Sequence, residues 1–234
     1  MRSAHHNVPG TVASAVGQPA SQVRRLSLYA LAGTGLFTVI VLLLHFVRPE
    51  YDPVTRFISE YAVTDPVVAG LAAVALALGS MALLRALDLS LSAEARSRAG
   101  TLLLWIYAVC FFAVGFFPTD EFPTVNPPSW HGIIHAILGL ISFACFSAGS
   151  LLVSLRLRRE PAWQNTAPAL TALSALCVAS FFVFYGGLEE VMGLIERIYA
   201  ALIVAWLALA AAKLRAGASE TAAAADSRGP SADR

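Results

Sequence analysis

The chain has 234 residues, 57% of them hydrophobic and only 13% charged, where an average soluble domain carries about a quarter charged residues. The deficit falls in long apolar runs separated by short charged ones, which excludes an ordinary soluble domain and reads as a chain that crosses a membrane several times. A net charge of +1 offers no global field for nucleic acid, and the three cysteines, Cys110, Cys145 and Cys177, lie inside apolar runs and make no disulfide framework.

Residues 1–25, with Pro9, Gly10, Gly17 and Pro19, read as a disordered cytoplasmic segment. Arg24 and Arg25 then precede an apolar run from Leu26 to Val47. That run exceeds the roughly 7–15 residues of a signal-peptide core, and no small-residue cleavage site follows it, so it reads as an uncleaved first span. Crossing takes roughly 20 residues of helix, and six runs qualify: Leu28–Val47, Pro66–Leu84, Gly100–Phe117, Gly132–Leu155, Ala167–Tyr185 and Gly193–Leu214. Backbone polar groups in lipid must be satisfied internally, so all six are expected as helices. The expected fold is therefore all-α: a polytopic bundle of six transmembrane helices spanning residues 26–215, followed by a disordered cytoplasmic tail over 216–234.

On span one, Thr34, Thr38 and His45 share one face. The following loop reads "RPEYDPVTRFISEYAVTDP". Asp52 before Pro53 has the form of a helix cap with proline at the first helical position. Val54, Phe57, Ile58 and Tyr61 then fall on one helical stripe, with Arg56, Ser59 and Glu60 opposite. The pattern predicts a short amphipathic helix across the extracytoplasmic mouth of the bundle. Tyr51 and Trp130 suit that interface, and Trp163 the other one.

Between spans three and four the chain reads "FPTDEFPTVNPPSWHGIIHAILG". Ser129 is a good N-cap, and His131 and His135 follow it four residues apart on one face, with Ser142 further along. Asp120 and Glu121 lie in the loop. Between spans five and six, "GGLEEVMGLIERIYA" carries a stripe of Leu188, Val191, Met192 and Ile195 that places the start of span six near Leu188. Glu189 and Glu190 then fall in its first turn, where the helix dipole favours anions. Glu196 and Arg197 sit further in, where charge is costly unless paired or wet.

Basic residues set the expected orientation. Thirteen of the sixteen arginines and lysines fall in the amino-terminal segment, the second and fourth loops and the tail, against Arg48, Arg56 and Arg197 on the other side. By the positive-inside rule both termini are cytoplasmic, and His45, His131 and His135 all lie at the extracytoplasmic ends of their spans.

The motifs "ISEYA", "FPTD", "HGIIHAILG" and "GLIER", in this order and spacing over all six spans, resemble the bacterial membrane family called domain of unknown function 998. The resemblance implies a six-span protein of the bacterial cytoplasmic (inner) membrane with no assigned activity. Where the family often reads Ser-Glu-Leu-Gly, this chain has Ser-Glu-Tyr-Ala at Ser59 to Ala62 and lacks the glycine turn.

Three readings fit the polar residues. In the first, His45, Arg56, Ser59, Glu60, Asp120, His131, His135, Glu196 and Arg197 form a pocket that binds or senses a lipid headgroup or small polar ligand. In the second, His131 and His135, with Asp120 or His45 as third ligand, hold a catalytic zinc ion, and Glu60, Asp120 or Glu196 serves as the acid or base of a lipid hydrolase. Gly132 stands where metalloproteases carry a glutamate, and no Gly-x-Ser-x-Gly elbow or phosphate loop is present. In the third, the cluster is structural. Arg197 is expected to pair with Glu60 or Asp120, and Arg48 to reach water.

Overall fold

The computed structural model of the protein describes residues 12–122, 126–187 and 189–226; His5, His6, Arg2, Leu188 and the last eight residues lie outside them. Seven α-helices are described: α1 (Val12–Val47), α2 (Tyr61–Thr64), α3 (Pro66–Ser90), α4 (Arg98–Val114), α5 (Trp130–Leu157), α6 (Ala167–Tyr185) and α7 (Met192–Asp226). Single 3-10 turns, Pro161–Trp163 and Glu189–Val191, precede α6 and α7. No strand occurs among the described residues.

Five helices, α1, α3, α5, α6 and α7, are long and apolar enough to cross a membrane, and α4 is a shorter apolar helix of 17 residues. At 1.5 Å per residue, α1 with 36 residues and α7 with 35 each exceed a hydrocarbon layer of about 30 Å. They run on as helix through stretches that composition alone marks as irregular, residues 12–25 and 216–226. Ala13, Ala15, Ala20 and a run of alanines after Thr221 supply the propensity.

The helices close a ring. Each long helix packs on its sequence neighbour, α1 on α3, α3 on α4, α4 on α5, α5 on α6 and α6 on α7, and α7 returns to α1 while also touching α3. Lipid gives no hydrophobic drive between helices, so close packing must come from small residues. Three glycine pairs provide it. A Cβ on Gly79 would lie 3.1 Å from the Ala30 carbonyl oxygen and 3.2 Å from the Gly33 Cα, joining α3 to α1. A Cβ on Gly115, just past α4, would lie 2.9 Å from the Gly70 oxygen of α3. Gly100 and Gly149 face each other between α4 and α5, where a Cβ on either would lie 3.0 Å from the carbonyl oxygen of the other.

The buried seam of α1 runs Val23, Ser27, Ala30, Thr34 and Phe37 in steps of three and four, and resumes two turns on at Leu44. Its other faces expose Leu36, Val39, Leu42, Leu43 and Phe46, which suits lipid and not water. Several polar side chains inside the ring are matched, while the buried Tyr107 hydroxyl has no hydrogen-bond partner among the described residues. Tyr199 donates to the Phe143 carbonyl at 2.7 Å and shares its hydroxyl with Ser147. Trp206 donates to Ser154 at 2.9 Å, and Ser154 lies 3.2 Å from Ser174.

Three expectations need correction. Residues 53–60 are turns, not an amphipathic helix. Only the Arg56 amide bonds back four residues, to the Asp52 carbonyl. Asp52 caps this single turn by accepting from the Val54 amide, and beyond it side chains take the amides a helix would need: Glu60 accepts from Phe57, and Glu196 from Ile58. Helix resumes only for the four residues of α2. Tyr51 and Trp163 are not interface anchors but buried, 7% and 4% exposed, Tyr51 against Tyr61 and Trp163 in the main core. Trp130 is exposed as expected. Finally, α7 starts at Met192, one turn after Leu188, because Glu189–Val191 winds as 3-10.

Candidate functional site

The loop 48–65 folds down over one end of the ring, and two carboxylates and two arginines hold it there. Glu60 is fully buried. Its Oε1 accepts from Arg56 Nη1 at 3.0 Å and from the Phe122 amide at 2.7 Å, and its Oε2 accepts from the Phe57 amide at 2.7 Å. A buried carboxylate is tolerable only with such a full set of donors. Arg56 also reaches the Phe122 carbonyl and, at 3.4 Å, Glu121, while its guanidinium lies 6.0 Å from the Tyr51 ring. Glu60 and Arg56 thereby tie the α1–α3 loop to the α4–α5 loop.

From below, α7 holds the same loop. Glu196, 7% exposed, receives the Ile58 and Ser59 amides. Arg197 donates through Nε to His45 Nε2 at 2.7 Å, through Nη1 to the carbonyls of Arg56 at 2.6 Å and Gly193 at 3.0 Å, and through Nη2 to the Tyr61 hydroxyl at 3.5 Å. His45 bonds the Val41 carbonyl through Nδ1 at 2.6 Å. A carbonyl only accepts, so Nδ1 carries the proton and Nε2 is the acceptor that Arg197 requires. Tyr61 is buried against His45, ring centroids 5.5 Å apart. Burial pushes its phenol above the ordinary value, and the Arg197 hydrogen bond works against that. The loop approaches α7 most closely at Gly193, where a Cβ would meet the Arg56 backbone, 2.8 Å from its nitrogen and its carbonyl carbon.

Arg197 thus takes neither expected partner. Glu60 pairs with Arg56 instead, and Arg197 binds neutral acceptors. Glu196 points elsewhere, as residues about 100° apart on a helix must. Arg48 does not simply reach water either: Nε and Nη2 grip Asp65 at 2.6 and 3.0 Å. The Arg48 hydrogen bond holds the Asp65 carboxyl below its usual range, helped by Thr64.

Asp120 forms a second group with Ser129 and His131. It accepts from the Ser129 amide at 2.9 Å and the Ser129 hydroxyl at 2.5 Å, and these bonds, with the side-chain one foremost, pull its pKa down. Ser129 Oγ accepts from the Gly132 amide at 3.0 Å as the N-cap of α5. A Cβ on residue 132 would fall on the Asp120 carboxylate. Glycine there makes room for an anion at the helix N-terminus, where the dipole favours it. His131 Nδ1 bonds the Pro118 carbonyl at 2.9 Å, and His135 Nδ1 the Phe117 carbonyl at 2.7 Å. Both oxygens of Asp120 and one nitrogen of each histidine are therefore engaged in closing the loop onto α5. No group of three His, Cys, Asp or Glu side chains that could hold a metal ion occurs among the described residues.

Beneath the loop lies a cavity of about 480 Å³ between α1, α3, α4, α5 and α7, within the size range of small-molecule sites. Phe37, Leu76, Phe111, Phe143 and Ile203 give it apolar walls, and Ser59, His135 and Glu196 bring polar groups to it. Of the nine residues expected to line a pocket, the cavity takes these three. His45, Arg56, Glu60 and Arg197 hold its roof, and Asp120 and His131 hold the neighbouring loop. Sequence reasoning missed the parts with no chemical signature: Tyr61, the Phe57 and Phe122 amides, and Gly193.

One family model matches, over residues 31–213, and its description is "Protein of unknown function (DUF998)". No curated protein and no solved structure matches the chain.

Proposed function

We propose a ligand-binding or sensing function for this chain, which belongs to the DUF998 family and is a multi-pass membrane protein. The observation that carries it is the roofed cavity of about 480 Å³ with Ser59, His135 and Glu196 among apolar walls. An entirely structural polar cluster would have no need of an empty volume beside it, because interiors close-pack wherever side chains allow. The ligand is a lipid or other small amphiphile, with its head near the three polar residues. In this reading α4 completes six spans, and the roofed cavity lies at the extracytoplasmic end of the bundle in a bacterial inner membrane, with both termini cytoplasmic. The thirteen-to-three distribution of basic residues and the even number of spans support that orientation.

The test is native mass spectrometry of the protein released from lipid nanodiscs. A bound amphiphile is expected on wild-type protein and not on Ala200→Trp, which fills the cavity from α7. Equal occupancy of the two proteins, both eluting as folded monodisperse species, rejects the cavity as the site.

A further inference from the structure

The hydrogen-bonding groups that face the cavity are biased toward acceptors, and this selects the head of the ligand. Glu196 lines it with a carboxyl group that accepts from two backbone amides. His135 lines it with Nδ1–H already given to Phe117, which leaves Nε2 as an acceptor. Ser59 contributes a hydroxyl, which can act either way. The two nearby cations do not line the cavity, and both are occupied: Arg56 by Glu60, Glu121 and the Phe122 carbonyl, Arg197 by His45, two carbonyls and Tyr61. The Phe57, Ile58 and Phe122 amides are likewise spent on Glu60 and Glu196.

The walls indicate the route. Val67 and Leu71 of α3 and Phe116 after α4 line the cavity and are also 73%, 57% and 63% exposed. They are large apolar side chains near the ends of two membrane helices, so the cavity reaches the lipid-facing surface between α3 and α4. A ligand that enters there arrives from the bilayer.

Resting on the binding reading above, we propose that the ligand is a membrane-dissolved amphiphile whose head donates hydrogen bonds and carries no negative charge, a hydroxyl or ammonium group on an apolar chain. A phosphate or carboxylate head would meet the acceptors of Glu196 and His135 with no free cation lining the cavity to pair with it.

The experiment uses the full chain in nanodiscs and three photoreactive probes of one chain length: a long-chain alcohol, the matching primary amine and the matching phosphate monoester. Labelled residues are mapped by mass spectrometry, with unlabelled probe as competitor. The alcohol and the amine are expected to label the cavity walls saturably, at concentrations at least about tenfold below the phosphate. Glu196→Gln keeps an acceptor oxygen for the loop amides and should cut the amine's advantage over the phosphate by about tenfold. Ala200→Trp should abolish wall labelling by all three. If the phosphate labels the walls as well as or better than the other two, the head-group assignment is overturned and the binding reading survives. If none labels them saturably in wild type, the binding reading fails and takes this inference with it.

Discussion

Arg197 and Glu60 illustrate how single side chains carry this structure. Arg197 makes four hydrogen bonds from one guanidinium, to His45, Tyr61 and two carbonyls. Arg197→Ala should cost about 2–3 kcal/mol, since several buried acceptors lose their donor, and Arg197→Lys should recover little, because one ammonium cannot reproduce the fork. Detergent-phase thermal melts of both variants check this; a wild-type melting temperature for Arg197→Lys would refute it. Glu60 is an acceptor on both oxygens. In Glu60→Gln the new amide must confront an N–H, at a cost of about 2 kcal/mol, while Glu121→Gln, at an exposed site, should change stability by less than about 0.5 kcal/mol. Arg48 and Asp65 supply the pH dependence. Asp65 titrates below its ordinary value because Arg48 holds the charged form, so the pair stabilises the fold above about pH 4 and is lost as pH falls through the folded value. Wild type should therefore lose stability in acid faster than Asp65→Asn, with melting temperature against pH as the measurement. The reactive residue types were all visible in sequence, but not their partners. A histidine four residues from another looks the same whether its ring meets a metal or the Pro118 carbonyl.

At the scale of elements, the loop 48–65 is the part that local pattern misjudged. Its apolar stripe has helical spacing, yet Asp52, Glu60 and Glu196 claim the amides of Val54, Phe57 and Ile58. Side-chain bonds, the one from Glu196 reaching across from α7, outweigh propensity where a helix would span only two turns, since a short helix is marginal alone. Gly193 marks where the loop rests on α7. Gly193→Ala gains up to about 1 kcal/mol of helix propensity but drives a Cβ into the Arg56 backbone, an overpacking cost of about 1–3 kcal/mol. The expected result is a loop that lifts from α7: limited proteolysis should cut between Arg48 and Asp65 faster than in wild type, with the α7 helix itself intact. Unchanged cleavage would show that the loop is anchored without this contact. The long helices, by contrast, were readable to within a few residues at most of their ends, because an apolar run of roughly 20 residues has no other stable form in lipid.

For the whole molecule, the closed ring of α1, α3, α4, α5, α6 and α7 sets which helix ends share a side. A reporter enzyme active only in the cytoplasm, fused after Lys213, should be active, and the same reporter inserted at Asp52 should not; the reverse pattern would invert the proposed orientation and place the cavity on the cytoplasmic side. Hydropathy and spacing were enough to establish that the chain is helical, apolar and multi-pass, that its candidate site residues fall at or near helix ends, and that Ser129 caps α5. Those conclusions follow from hydropathy and from bonds between residues close in the chain, which composition and spacing encode directly. That α7 returns to α1, that Arg197 binds His45 while Glu60 takes Arg56, that Asp120 sits over Gly132, and that a cavity remains beneath the loop became visible only in the packed helices. Each of these depends on which distant residues arrive at the same point. A cavity in particular is the space that packed side chains fail to fill, so no residue in the sequence spells it.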